Sequence, residues 1–105
     1  MGKIVIVAYR PLPGKAKELE KVIESHIPVL KREGLVTERE PVVMKSDDGC
    51  FIEIFEWKSA IAMEKAHQNK AVLELWDRFR KVCEYEKPVN IKEFSQLFSE
   101  FEPVN

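Results

Sequence analysis

Cysteine is scarce in this chain, with Cys50 and Cys83 the two examples among 105 residues. They lie far apart, form no CxxC pair and follow no signal peptide. Reduced thiols in a cytoplasmic protein are therefore expected in preference to a disulfide framework. Long apolar runs are also missing. The longest, Ile4 to Ala8, is far below the roughly 20 residues that cross a membrane as a helix, so no membrane partner is expected. Neither sign of charge dominates: 17 basic and 18 acidic residues leave a formal charge of −1. The basic residues form no stripe, since Lys15, Lys17 and Lys21 are interspersed with Glu18, Glu20 and Glu24. Nucleic acid is thus not an expected partner. The histidines, His26 and His67, belong to no HxH or HxxxH pattern, and no metal site is expected. P-loop and GxGxxG motifs are absent, and neither cysteine has a neighbour that would favour a thiolate nucleophile.

What remains is one domain, residues 1–105, long enough to bury roughly two-thirds of its unfolded surface without metal or disulfide support. Charged residues make up 33% of the chain, above the roughly 25% of ordinary soluble domains, which suits amphipathic helices with solvated faces.

Lys3 to Tyr9 reads as a strand, β-branched and bounded by Gly2 and the Pro11–Gly14 turn. Both of its alternating sets are apolar, so it needs cover on two sides. A helix follows from Gly14 to about Glu33. Leu19, Val22, Ile23, His26, Ile27 and Leu30 line its inner face, Pro28 predicts a bend, and Gly34 supplies the stop. Thr37 to Lys45 is a second strand, assigned to an edge or bulge by Pro41, and Ser46–Gly49 is a hairpin turn. Cys50 to Trp57 is a third strand, apolar in both registers except at Glu53 and Glu56. Ser59 and Asn69 are predicted caps of two further helical segments, the second carrying Val72, Leu75, Trp76, Phe79, Val82 and Cys83 inward. A short helix, Ile91 to Leu97, and a closing strand, Phe98 to Val104, complete the chain.

The order β-α-β-β-α-β predicts an α+β, ferredoxin-like split βαββαβ fold, with a four-stranded antiparallel sheet and helices on one face. The other face of the sheet would be left bare. A second copy packed sheet to sheet is the simplest cover, so a homodimer is expected.

Glu53 to Phe79, EIFEWKSAIAMEKAHQNKAVLELWDRF, resembles the antibiotic-biosynthesis-monooxygenase family of dimeric α/β-barrel proteins. The shared features are a strand ending in Glu-x-Trp (Glu56 lies directly before Trp57 here), a histidine about ten residues on (His67), and a break at Gln68-Asn69-Lys70 before the next helix. The ending FSEFEPVN is similar to that family's last strand. The resemblance implies a dimeric α/β barrel with a small-molecule pocket, and a cofactor-independent monooxygenase acting on a small aromatic or quinol. A non-catalytic dimer that binds a ligand or an interaction partner is the alternative. Haem-degrading members pair a first-strand Asn with a Trp and a His. Here Tyr9 or a neighbour stands in place of that Asn, Ala66 in place of the Trp, and Trp76 or a neighbour near the position of the His ligand, so haem binding is the least favoured reading.

Among individual residues, His67 and Tyr9 are the candidate catalytic groups, since either can exchange a proton with a phenolic ligand. The bland reading makes His67 a packing residue at a helix junction and Tyr9 an amphipathic rim residue. Trp57, Trp76 and Phe79 offer flat apolar surface to an aromatic substrate, and equally can be core. Arg10 ends the first strand at the expected pocket mouth. Glu53 is the odd carboxylate in an apolar strand. Facing inward it must be paired or protonated, whereas at a dimer seam a salt bridge accounts for it. His26, on the buried stripe beside Pro28, can bond the carbonyl that the proline frees.

Overall fold

The computed structural model describes residues 2–105. Its central strands are β1 (Lys3–Pro11) and β3 (Phe51–Trp57), paired antiparallel with Val7 opposite Glu53 and Tyr9 opposite Phe51. Side chains alternate across a strand, so Val5, Val7, Tyr9, Phe51, Glu53, Phe55 and Trp57 share one face. The helices cover that face. α1 (Ala16–Arg32) continues through Pro28 and ends where Gly34, at φ +73°, lets the chain reverse. There the Gly34 N–H bonds the Lys31 carbonyl and the Leu35 N–H bonds the Leu30 carbonyl, the Schellman arrangement with its Leu30–Leu35 apolar contact. α2 (Ala60–Ala66) and α3 (Lys70–Val82) start at the predicted caps: Ser59 Oγ accepts from the Ala62 N–H at 3.0 Å, and Asn69 Oδ1 from the Val72 N–H at 3.1 Å.

With β2 (Val42–Lys45), β4 (Cys83–Glu86) and β5 (Glu102–Pro103), the antiparallel sheet has five strands rather than the expected four, in the order β4-β1-β3-β2-β5. The difference arises after α3. The apolar spacing carries the helix through Cys83, but the helix stops at Val82 and β4 (Cys83–Glu86) pairs with Ala8–Pro11 of β1. Cys83 and Tyr85 alternate with Glu84 and Glu86, and this period of two wins once β1 offers its free edge. β4 is therefore the fourth strand of the split βαββαβ pattern.

The expected Ile91–Leu97 helix is replaced by two 3-10 turns, Pro88–Asn90 and Lys92–Ser95. The closing strand shrinks to β5 (Glu102–Pro103), which pairs with β2 (Val42–Lys45). β2 is itself shorter than expected, and Pro41 lies just before it rather than inside it. With β5 beside it, β2 is not the edge of the sheet.

This C-terminal tail changes the account of the outer face. Ile91, Phe94 and Phe101 pack over Ala8, Cys50, Ile52 and Met44, so the chain itself covers one end of it. The other end stays open. Ile6, Ile54 and Val42 sit side by side in register, with Ile4 adjacent, and Ile4, Ile6 and Val42 are 57%, 47% and 50% exposed. No helix among the described residues is long and apolar enough to cross a membrane.

Candidate functional site

Glu53 is the one carboxylate on the helix-covered face of β3, and it is completely buried. Its Oε1 collects two contacts from different elements. The Tyr9 hydroxyl of β1 donates to it at 2.8 Å, and His26 Nδ1 of α1 lies 2.7 Å away. Tyr9 reaches Glu53 because the β1–β3 register puts them one diagonal step apart on the same face. His26 reaches it because the buried stripe of α1 lies directly over β3. Instead of turning to a carbonyl of its own helix, His26 finds its partner across the layer. It is held edge-on by two rings, Phe55 and Phe79, each at 5.1 Å between centroids.

Burying a carboxylate costs several kcal/mol unless it is paired and hydrogen-bonded. Here one oxygen can accept from both a phenol and an imidazole N–H. Burial, followed by the nearby Glu53 charge and the hydrogen bond to it, pushes the Tyr9 phenol well above its ordinary value. Tyr9 therefore keeps its proton at neutral pH and serves as a donor. With Nδ1 engaged by Glu53, His26 Nε2 has no protein partner, yet it is not sealed off. The His26 side chain also lines a cavity.

That cavity, about 220 Å³, lies between the sheet and the helices beside the part of β1 that β4 does not reach. Its walls are Val5, Val7, Tyr9, Phe55, Trp57, Trp76, Phe79 and Tyr85 around His26. Tyr9 stacks on Phe79 at 4.8 Å and 12°. Such a space suits a flat aromatic guest, with His26 as the basic group at its wall.

Of the residues singled out in the sequence, Tyr9, Trp57, Trp76 and Phe79 line this cavity, and Glu53 stands directly behind it. Arg10 does not line it. Its side chain is directed to Glu86 and Asp48, at 3.1 and 3.4 Å. His67 is exposed at the end of α2 and meets the cavity only through Trp76, edge-on at 5.0 Å. His26 is the central group that sequence reasoning undervalued. The available signal was a second buried ionisable residue in the chain, since an inward Glu53 needed a partner. No cluster of three or more His, Cys, Asp or Glu side chains suited to a metal ion occurs among the described residues.

No family model matches this sequence, and no curated protein sequence is detectably similar to it. Two solved structures share its fold. SnoaB, a cofactor-independent oxygenase from Streptomyces nogalater, superposes with a TM-score of 0.68 at 15% identity, over 81% of this chain and 86% of that one. Rv0793 from Mycobacterium tuberculosis does so with a TM-score of 0.63 at 17% identity, over 84% and 95%. The chain has the α+β fold of these two structures, an antiparallel sheet with helices on one face.

Proposed function

We propose that this protein is a cofactor-independent monooxygenase acting on a small electron-rich aromatic, with His26 as general base. The observation that carries the reading is the pairing of His26 Nδ1 with Glu53 at the wall of a cavity lined by aromatic side chains. With Glu53 ionised, Nδ1 carries the proton and Nε2 presents its lone pair to the substrate. A quinol-type substrate loses a proton to Nε2, and its anion passes one electron to O2. The radical pair combines through a C–O bond to a peroxide, which then loses water. Overall, the attacked ring carbon loses its hydrogen and becomes C=O, one oxygen atom enters the product, and the other leaves with two substrate hydrogens as water. The apolar walls reduce the hydration of the anion on the side that faces them, which favours the electron transfer. Trp57, Trp76 and Phe79 bind the ring, Tyr9 fixes the Glu53 carboxylate, and His67 steadies Trp76 from outside. The fold shared with SnoaB supports chemistry that needs no metal or organic cofactor.

The same reading makes the active form a homodimer, in which a second copy covers Ile4, Ile6 and Val42 on the outer face. The free, buried thiols of Cys50 and Cys83 accord with a reducing, cytoplasmic setting.

Oxygen uptake with a panel of quinols tests the activity. The wild type should exceed buffer, and His26→Gln should fall by a factor of about 10² or more. Uptake equal to buffer across the panel overturns the oxygenase reading. Ligand-dependent stabilisation without uptake would instead make the cavity a carrier site.

A further inference from the structure

The Glu53 carboxylate stands between two cavities, and the site above uses only one of its oxygens. On the other side lies a space of about 230 Å³ between α1, the approach to β2 and the C-terminal residues, also lined by Glu53. Its walls are mostly apolar, with Ile23, Ile27, Val43 and Val104 prominent. No lysine or arginine lines it, and its charged groups are Glu53, Glu20 and Glu24. Neither Glu20 nor Glu24 takes part in a salt bridge among the described residues. Asn105, the remaining polar wall, is already occupied: its Oδ1 accepts from the Val43 N–H and its Nδ2 donates to the Pro41 carbonyl. Glu53 Oε2 is different. It is fully buried, and among the described residues it is the buried side-chain polar atom without a hydrogen-bond partner.

A buried acceptor left unpaired carries an uncompensated desolvation cost, which is larger when it is charged. A ligand that supplied an N–H donor there would recover that cost. The chemistry of the walls then selects the ligand. Three carboxylates and no cation reject an anion, and the hydrocarbon lining favours an apolar body over a hydrated metal ion. A neutral hydrocarbon would fill the space but leave Oε2 unpaired. We propose that this second cavity binds a small apolar amine as its ammonium ion, which donates to Glu53 Oε2 while its hydrocarbon part rests on Ile23, Ile27 and Val43. The site is separate from the aromatic cavity and does not depend on the oxygenase reading.

Benzylamine is a suitable probe, compared with benzyl alcohol and benzoate at neutral pH on the full chain, by calorimetry and amide chemical shifts. Saturable benzylamine binding is expected, at least tenfold tighter than benzyl alcohol, with shifts centred on Ile23, Ile27 and Val43, and no binding of benzoate. Glu53→Gln should weaken it at least tenfold. Val104→Trp, which fills the cavity from its rim and leaves Glu53 in place, should abolish it and guards against a folding defect in the first variant. Benzylamine binding no tighter than benzyl alcohol, binding that survives both substitutions, or shifts centred on Val7 and Trp76 would each overturn the proposal. Oxygen uptake plays no part in this readout, so either reading can fail without the other.

Discussion

His26 Nδ1 and Glu53 Oε1 lie 2.7 Å apart although 27 residues separate them in the chain. The contact joins the helix layer to the centre of the sheet and leaves a single carboxylate to hold both an imidazole and the Tyr9 phenol. The stability of the core and the proposed chemistry therefore rest on the same three side chains.

Removing the shared acceptor should be more damaging than removing one donor. Glu53→Ala strands His26 and Tyr9 in the core and should cost about 3–5 kcal/mol. Tyr9→Phe deletes one hydrogen bond to a charged group and should cost about 1.5–3 kcal/mol. Urea denaturation of the two variants measures both, and equal losses would show that the carboxylate is not the common partner.

Tyr9 also predicts an alkaline limit. Its phenol is raised in the folded state, chiefly by burial, so above the ordinary tyrosine value of about 10 the unfolded chain loses a proton that the native chain keeps. Stability should be fully present below that pH and decline as pH rises further towards the folded value. Thermal melts from pH 8 to 11 should show a shallower alkaline decline for Tyr9→Phe than for the wild type. Identical slopes would sink the assignment.

The cysteines should be slow to react. Burial pushes the Cys83 thiol from 9.0 up to about 11 and raises Cys50 as well. The thiolate is the reactive form, so a disulfide reagent at pH 8 should label neither residue readily in the native protein and both once denatured. Rapid native labelling of either would contradict the packing described.

The outer face predicts self-association. Ile6 lies 47% exposed beside Ile54 and Val42, and an aspartate there would place an unpaired charge in a dimer contact at little cost to the monomer. Light scattering should find a dimer for the wild type at micromolar concentration and a folded monomer for Ile6→Asp. A wild-type monomer refutes the pairing.

Much of this architecture is legible in local pattern. The periodicities of Lys3–Tyr9, Ala16–Arg32 and Phe51–Trp57, the caps at Ser59 and Asn69 and the stop at Gly34 all act through neighbours in sequence. The stretch after Val82 was not legible. Cys83 satisfies a helical stripe and a strand alternation equally well, and only the free edge of β1 decides between them.

Two strands that are largely apolar on both faces, one of them with Glu53 and Glu56 in opposite registers, follow from local pattern, because alternation places side chains without reference to distant parts of the chain. Which groups meet Glu53 is a matter of packing between layers. His26 and Glu53 are brought together by the packing of α1 on β3, and the exposed His67 is left beside Trp76. Tertiary packing also decided that the chain's own tail covers one end of the outer face and leaves Ile4, Ile6 and Val42 open. The physical reason is the same in each case. Burial and hydrogen-bond pairing depend on which surfaces come into contact across the fold, and spacing along the chain does not encode that directly.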